Sequence, residues 1–151
     1  MKTTPIRHFL RFIDEVSPPK IAHAHCDIPC GVYEPDSAMW AVETVEKLTH
    51  KLLELKAPEP GSAEYLEYLN TVARAVAVKE EYAEICKRQV LILWTDYFKS
   101  EHLEKWPDLH EKVWMATKQC SEVKRTVSEE ACAELRKRVS EIAEIFKATK
   151  N

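Results

Sequence analysis

The stretch PDSAMWAVETVEKLTHKLLEL, residues 35–55, sets the architecture. Its apolar residues Ala38, Val42, Val45, Leu48, Leu52 and Leu55 recur at steps of three and four, the spacing of one helix face. Pro35 suits the first helical position, where a missing amide costs nothing. Ala57-Pro58-Glu59-Pro60-Gly61 then ends the helix and forms the first connection. A longer pattern starts near Ser62 and passes through Leu66, Leu69, Val72, Val76, Ala83, Val90, Leu93 and Tyr97, with a break expected near Asn70-Thr71. Ser100 and Pro107 mark the next start. Leu109, Val113, Thr117 and Cys120 form the inner stripe of the third helix, with Pro107 in its first turn. Ser128 caps a fourth, Glu129 and Glu130 complement its positive end, and Leu135, Val139, Ile142 and Phe146 form its stripe. Four amphipathic helices with short connections predict an all-α chain folded as an antiparallel four-helix bundle.

Composition supports one compact domain with a real core: 151 residues, 45% hydrophobic and 31% charged. A net charge of −3 with mixed signs along the helices excludes a basic stripe, and with it nucleic acid or an anionic membrane as partner. Having two glycines, Gly31 and Gly61, argues against a turn-rich β fold and against a phosphate-cradling loop. Five cysteines, an odd number, argue against a disulfide framework and for a reducing compartment. Cys86, Cys120 and Cys132 fall within helical patterns and read as small packing residues. His50, His102 and His110 read as helix-surface or interface residues, since no cysteine or carboxylate cluster frames them.

The segment His25-Cys26-Asp27-Ile28-Pro29-Cys30-Gly31-Val32-Tyr33 has neither helical nor strand periodicity, and it concentrates an imidazole and two thiols beside a proline and a glycine. It reads as an irregular metal-binding hook ahead of the bundle. If the chain is cut before His25, the freed α-amine of His25, the amide nitrogen of Cys26 and the Cys26 thiolate form two fused five-membered chelate rings. Cys30 closes an N2S2 plane, and the His25 ring reaches an axial position. Such a planar set suits nickel or copper rather than zinc, which prefers a tetrahedron. Pro29 restricts the backbone, and Gly31 permits a conformation that a Cβ would penalise, so the two fold the hook back.

The hook resembles that of the nickel-containing superoxide dismutases, whose mature chains begin His-Cys-Asp-X-Pro-Cys-Gly-X-Tyr. A second block is similar to the family's later helical region: Leu93-Trp94-Thr95-Asp96-Tyr97-Phe98-Lys99, then His102, Glu104-Lys105-Trp106-Pro107 and Leu109-His110. The likeness runs from His25 nearly to the C-terminus. It implies conversion of two superoxide anions to dioxygen and hydrogen peroxide, with one nickel ion per subunit held by His25, Cys26 and Cys30. Thiolate and deprotonated-amide donors raise electron density on nickel and bring its trivalent state within reach. The resemblance further implies that Tyr33 gates small anions at the open face of the metal, that Asp27 holds the loop, and that the chain assembles as a homohexamer. Plainer readings make Tyr33 a loop anchor and Asp27 a turn residue. The family supports its axial imidazole with a Glu and an Arg; the aligned positions here are Ala41 and Tyr82.

Because the family is made as a precursor, residues 1–24 are expected to be a pro-segment removed by a processing peptidase between Ala24 and His25, leaving 25–151 as the mature domain. Ile6, Phe9, Leu10, Ile13 and Val16 recur at helical spacing, but Arg11 interrupts a stretch too short for a bilayer span or a signal-peptide core. A cytoplasmic enzyme is therefore expected, with export as the alternative. Two other functions fit the residues alone. Cys-X-X-X-Cys could form a redox disulfide, or join His23 and His25 in a zinc module without catalysis. A helical interaction protein presenting Trp40, Trp106 and Trp114 is the third reading.

Overall fold

The computed structural model describes residues 31–150. Among them five α-helices and one π-helical turn follow in order: α1 (Asp36–Glu54), α2 (Ala63–Ile92), the π turn (Leu93–Tyr97), α3 (Ser100–Lys105), α4 (Leu109–Arg125) and α5 (Glu129–Thr149). The four long helices close a ring in which α1 packs on α2, α2 on α4, α4 on α5, and α5 on α1. Cross-helix pairs fix their directions. Lys112 meets Glu141 while Gln119 meets Ala131, so α4 and α5 run oppositely. Met39 meets Ser140 while His50 meets Glu129, so α5 and α1 do too. Lys87 meets Ser121 while Lys79 meets Thr126, which opposes α2 and α4. The bundle is antiparallel, as the apolar stripes predict.

Local sequence explains the ends. Ser62 and Ser128 each turn a side-chain oxygen back on the first turn, accepting the amides of Tyr65 and Ala131 at 3.1 Å. Pro35 takes the cap position rather than the first helical one, and its carbonyl accepts the Met39 amide at 3.1 Å. Pro107 likewise stays outside α4, in a turn closed by the Leu109 amide on the Trp106 carbonyl, with Asp108 as the cap. No break occurs at Asn70-Thr71: α2 runs through it.

The stripes of α4 and α5 are buried as read, including Leu109, Val113, Cys120, Leu135, Val139, Ile142 and Phe146. Along α1, Thr49 takes the inner position that Leu48 was expected to fill. In α2 the departure is larger. Leu66 is 69% exposed and Leu69 44%, and the inner face is Ala75, Lys79, Ala83, Cys86 and Val90. At about 1.5 Å per residue, α2 outruns α4, whose last turn meets it at Lys79, so the first turns of α2 overhang.

Lys79 is the one fully buried charged side chain among the described residues, at 0% exposure. Its ammonium donates to the carbonyls of Val123, Lys124 (3.2 Å) and Thr126 (2.9 Å). Those are orphan acceptors at the negative end of α4, and the buried cation satisfies them together. Burial pulls its pKa below the ordinary lysine value. Lys79→Met is expected to lower unfolding free energy by about 1–3 kcal/mol, because the methylene stem is replaced but three carbonyls lose their donor. Denaturant titration checks this.

At the same end, His50 bridges helices: Nδ1 lies 2.8 Å from Glu129 on α5, and Nε2 lies 3.3 Å from Glu54 on α1. The Glu129 hydrogen bond first, then the Glu54 charge, raises the imidazole pKa. A raised pKa means the contribution is full below the unfolded imidazole value, about 6.5, and is lost as pH rises through the folded one. The difference in melting temperature between the wild-type protein and His50→Gln should therefore shrink between pH 6 and pH 8.

Candidate metal centre

Antiparallel topology gathers the start of α1, the end of α2 and the end of α5 at one end of the bundle, where residues 31–35 lead into α1. Of the candidate residues, Gly31 and Tyr33 are described; His25, Cys26, Asp27, Pro29 and Cys30 lie outside the described residues, as does the pro-segment 1–24. Gly31 has φ +75°, in the left-handed region, with nothing within 4 Å of a Cβ built on it. Its requirement for glycine is thus one of backbone angle, not of space.

Tyr33 is 8% exposed and belongs to the hydrophobic core. Its ring lies 5.5 Å from that of Tyr97, at 53°. Tyr97 comes from the π turn, where the Phe98 amide reaches back to the Leu93 carbonyl at 2.9 Å. The wider turn sends both Tyr97 and Phe98 inward. Tyr97 also packs on Phe146 at 4.5 Å and stacks on His102 at 5.8 Å. Its hydroxyl sits 2.6 Å from Thr149 Oγ1, which itself donates to the Phe146 carbonyl. One hydroxyl has one proton, so Tyr97 must be the donor to Thr149. On the outer side, His102 Nδ1 accepts the Lys99 amide at 3.0 Å, which leaves the ring proton of the neutral form on Nε2.

The end of α5 also reaches residues 33 and 34. Lys150 donates to the Tyr33 carbonyl at 3.2 Å and to the Glu34 carboxylate at 2.8 Å, with its ammonium 4.6 Å from the Phe146 ring centre. These contacts escaped sequence reading. Tyr97 was visible as an inner residue, but nothing local ties it to Tyr33; only the shared bundle end does. A lysine just past a helix carries no signal beyond its favourable place at the negative helix end.

Ala41 is buried on α1, and Tyr82 is half-buried against the core on α2. An alanine and a phenol stand where the family resemblance implies a carboxylate and a guanidinium, so this pair brings no ion pair to the imidazole. Cys86, Cys120 and Cys132 are buried packing residues, as read. A hydrogen bond with Cys120 and burial push the Cys86 thiol well up, and burial raises Cys132, which donates to Thr49 at 3.3 Å. Cys86 and Cys132 therefore stay protonated and poor as ligands. No group of three His, Cys, Asp or Glu suited to a metal occurs among the described residues. Trp40 and Trp114 are exposed, whereas Trp106 packs on the core. No helix among the described residues is long and apolar enough to cross a membrane.

Comparison with known proteins gives the chain its family. A family model described as nickel-containing superoxide dismutase matches residues 20–150, the hook included. The superoxide dismutase [Ni] of Streptomyces coelicolor is 35% identical over 133 residues, covering 87% of this chain and 93% of that relative. Its counterpart from Streptomyces seoulensis is 34% identical over the same length and coverage. A native nickel superoxide dismutase structure superposes with a TM-score of 0.74 at 34% identity, covering 84% of this chain and all of that one. The zinc-module, thiol-redox and interaction-protein readings are not favoured by these matches. The chain belongs to the nickel-containing superoxide dismutase family, and its activity is that of an oxidoreductase acting on superoxide with a nickel cofactor.

Proposed function

We propose that the mature enzyme begins at His25 and holds one nickel ion through the α-amine and ring of His25, the amide nitrogen and thiolate of Cys26, and the thiolate of Cys30. The donor chemistry fits. Three of the five thiols are buried in the core, and Cys26 and Cys30 remain as the pair ahead of the bundle. When bound, the ion supplies one-electron exchange with superoxide.

The residues divide the remaining work. Cleavage after Ala24 converts the His25 amide into an amine with a free lone pair. That amine has an ordinary pKa of about 7.7–8.0 and the thiols about 8.5, so loading displaces protons and weakens as pH falls. Pro29 and Gly31 shape the turn, and Asp27 holds the loop by hydrogen bonds. Tyr33 stands at the open face as a gate for small anions. The observation that carries this reading is the fixed footing of Tyr33: a buried ring against Tyr97, placed so that a hook three residues upstream begins from a defined point.

The enzyme is further proposed to be a cytoplasmic homohexamer matured by a separate peptidase. The exposed Trp40, Trp114, Leu66 and Leu69 support subunit contacts.

Native mass spectrometry of the purified protein reads its first residue, nickel content and copy number together. His25 as first residue, one nickel per chain and six copies are expected. A chain that keeps Ala24 should bind no nickel in the N2S2 mode and lose superoxide turnover; full activity of that uncut form would sink the proposal. Tyr33→Phe is expected to keep its nickel and lose about tenfold in turnover, near 1.4 kcal/mol of barrier. Pulse-radiolytic superoxide decay measures that change.

A further inference from the structure

The first turns of α2 carry an apolar stripe that no helix among the described residues covers. Farther along α2, Glu84 and Lys87 face α4, where they meet Lys124 at 2.9 Å and Ser121 at 3.3 Å. Leu66 and Leu69 precede that pair by about five turns of 3.6 residues, so they lie on the same side of the helix. α4 stops at Arg125, and the line it would follow is open beyond that point, with exposed Val127 at its foot. Residues 63–78 extend past the Lys79 contact as about 24 Å of helix. A single exposed leucine is ordinary, whereas an apolar stripe along a free helix face marks an interaction surface.

The stripe is complementary to itself. Its first half carries large residues, Leu66 and Leu69, and its second half small ones, Ala73 and Ala77, all exposed. When a second copy is laid antiparallel about a two-fold axis, Leu69 falls opposite Ala73 and Leu66 opposite Ala77, each twice. Large side chains then fill the space that small ones leave, and the helices approach closely. The charges agree with the same register. Glu67 and Arg74 each follow a stripe residue by one position and line its outer margin, and among the described residues neither has an ion-pair partner. In the antiparallel register Glu67 comes opposite Arg74 of the second copy, again twice. A parallel pairing instead sets Glu67 against Glu67 and leucine against leucine, which like-charge repulsion and size both disfavour.

We propose that the first turns of α2 form a two-fold contact between two copies of this chain, each overhang filling the open line beyond the other's α4. The inference rests on the subunit association proposed above but not on its copy number, since any closed assembly with a two-fold axis can contain the contact.

The test is sedimentation equilibrium of the purified protein over a range of concentrations, with circular dichroism to show that each variant keeps its helix content. Leu66 is 69% exposed within one copy, so Leu66→Glu should fold as the wild type does and raise the concentration of half-dissociation about tenfold. Glu67→Arg and Arg74→Glu each turn the cross-copy pair repulsive, and each should raise it about fivefold. An equimolar mixture of those two variants should return to within about twofold of wild type, because in a mixed pair every new charge faces an opposite one. Six copies with no response to Leu66→Glu, or charge variants that stay weak when mixed, overturn this contact and leave the six-copy reading standing. Two or four copies with association restored in the mixture support the contact and overturn the six-copy reading. A monomeric wild-type protein, or an odd number of copies, overturns both.

Discussion

The packing of the Tyr97 ring is the constraint on which the metal end of the molecule depends. It touches Tyr33 from the segment before α1, Phe98 and His102 from the connection after α2, and Phe146 from α5. Elements that meet nowhere else in sequence are thereby locked together by one side chain. Aromatic rings suit this task because they bury large areas in defined orientations. Tyr97 adds a hydroxyl that finds its acceptor in Thr149, so no polar atom is stranded. The π turn is what delivers it, since the longer loop of the hydrogen bond rotates the chain just enough to send residues 97 and 98 inward in succession.

The two ends of the bundle are built from different materials. Away from the hook, Arg136 pairs with Glu46, His50 with Glu54 and Glu129, and Lys79 with the carbonyls closing α4. Those contacts are ionic, several are exposed, and salt or pH weakens them. Around Tyr33 the contacts are rings, with Lys150 as the cation that reaches in. A footing of rings keeps its geometry through changes of ionic strength. A surface concavity of about 430 Å³ lined by His50, Glu129 and Cys132 lies at the ionic end, far along the bundle from Tyr33.

Much of this was legible in the sequence, for physical reasons. The stripes of α4 and α5 are buried because their apolar residues repeat at helical period over their whole length, with a serine cap to start α5. The family could be read from the residue types and their order in 25–33 and from the second block at 93–110. Lys79 could not: it sits at the right period for the inner face, but a lysine in a stripe reads as a break, and only the approach of the α4 end supplies its acceptors. Leu66 and Leu69 misled in the opposite sense, because periodicity reports which residues share a face and not whether a partner helix is long enough to cover it. Pro107 was placed one turn too far in, since a proline fits equally in a first turn or in the turn before the cap.

If the proposed site forms only on a cut chain end, the core has to stand without it. Among the described residues the core lies between Tyr33 and Phe146, and none of it is among the donors proposed for nickel. In small zinc domains the metal supplies the folding free energy, so fold and site form together. Here the described residues bury a continuous core of their own, and the donors proposed for nickel lie in the segment ahead of it. That proposed order would require the uncut and cut chains to share one footing, in which Tyr33 is held by Tyr97 and Lys150. Ala41, buried on α1, and Tyr82, half-buried on α2, offer no ion pair, so neither position adds a charged support beside that footing.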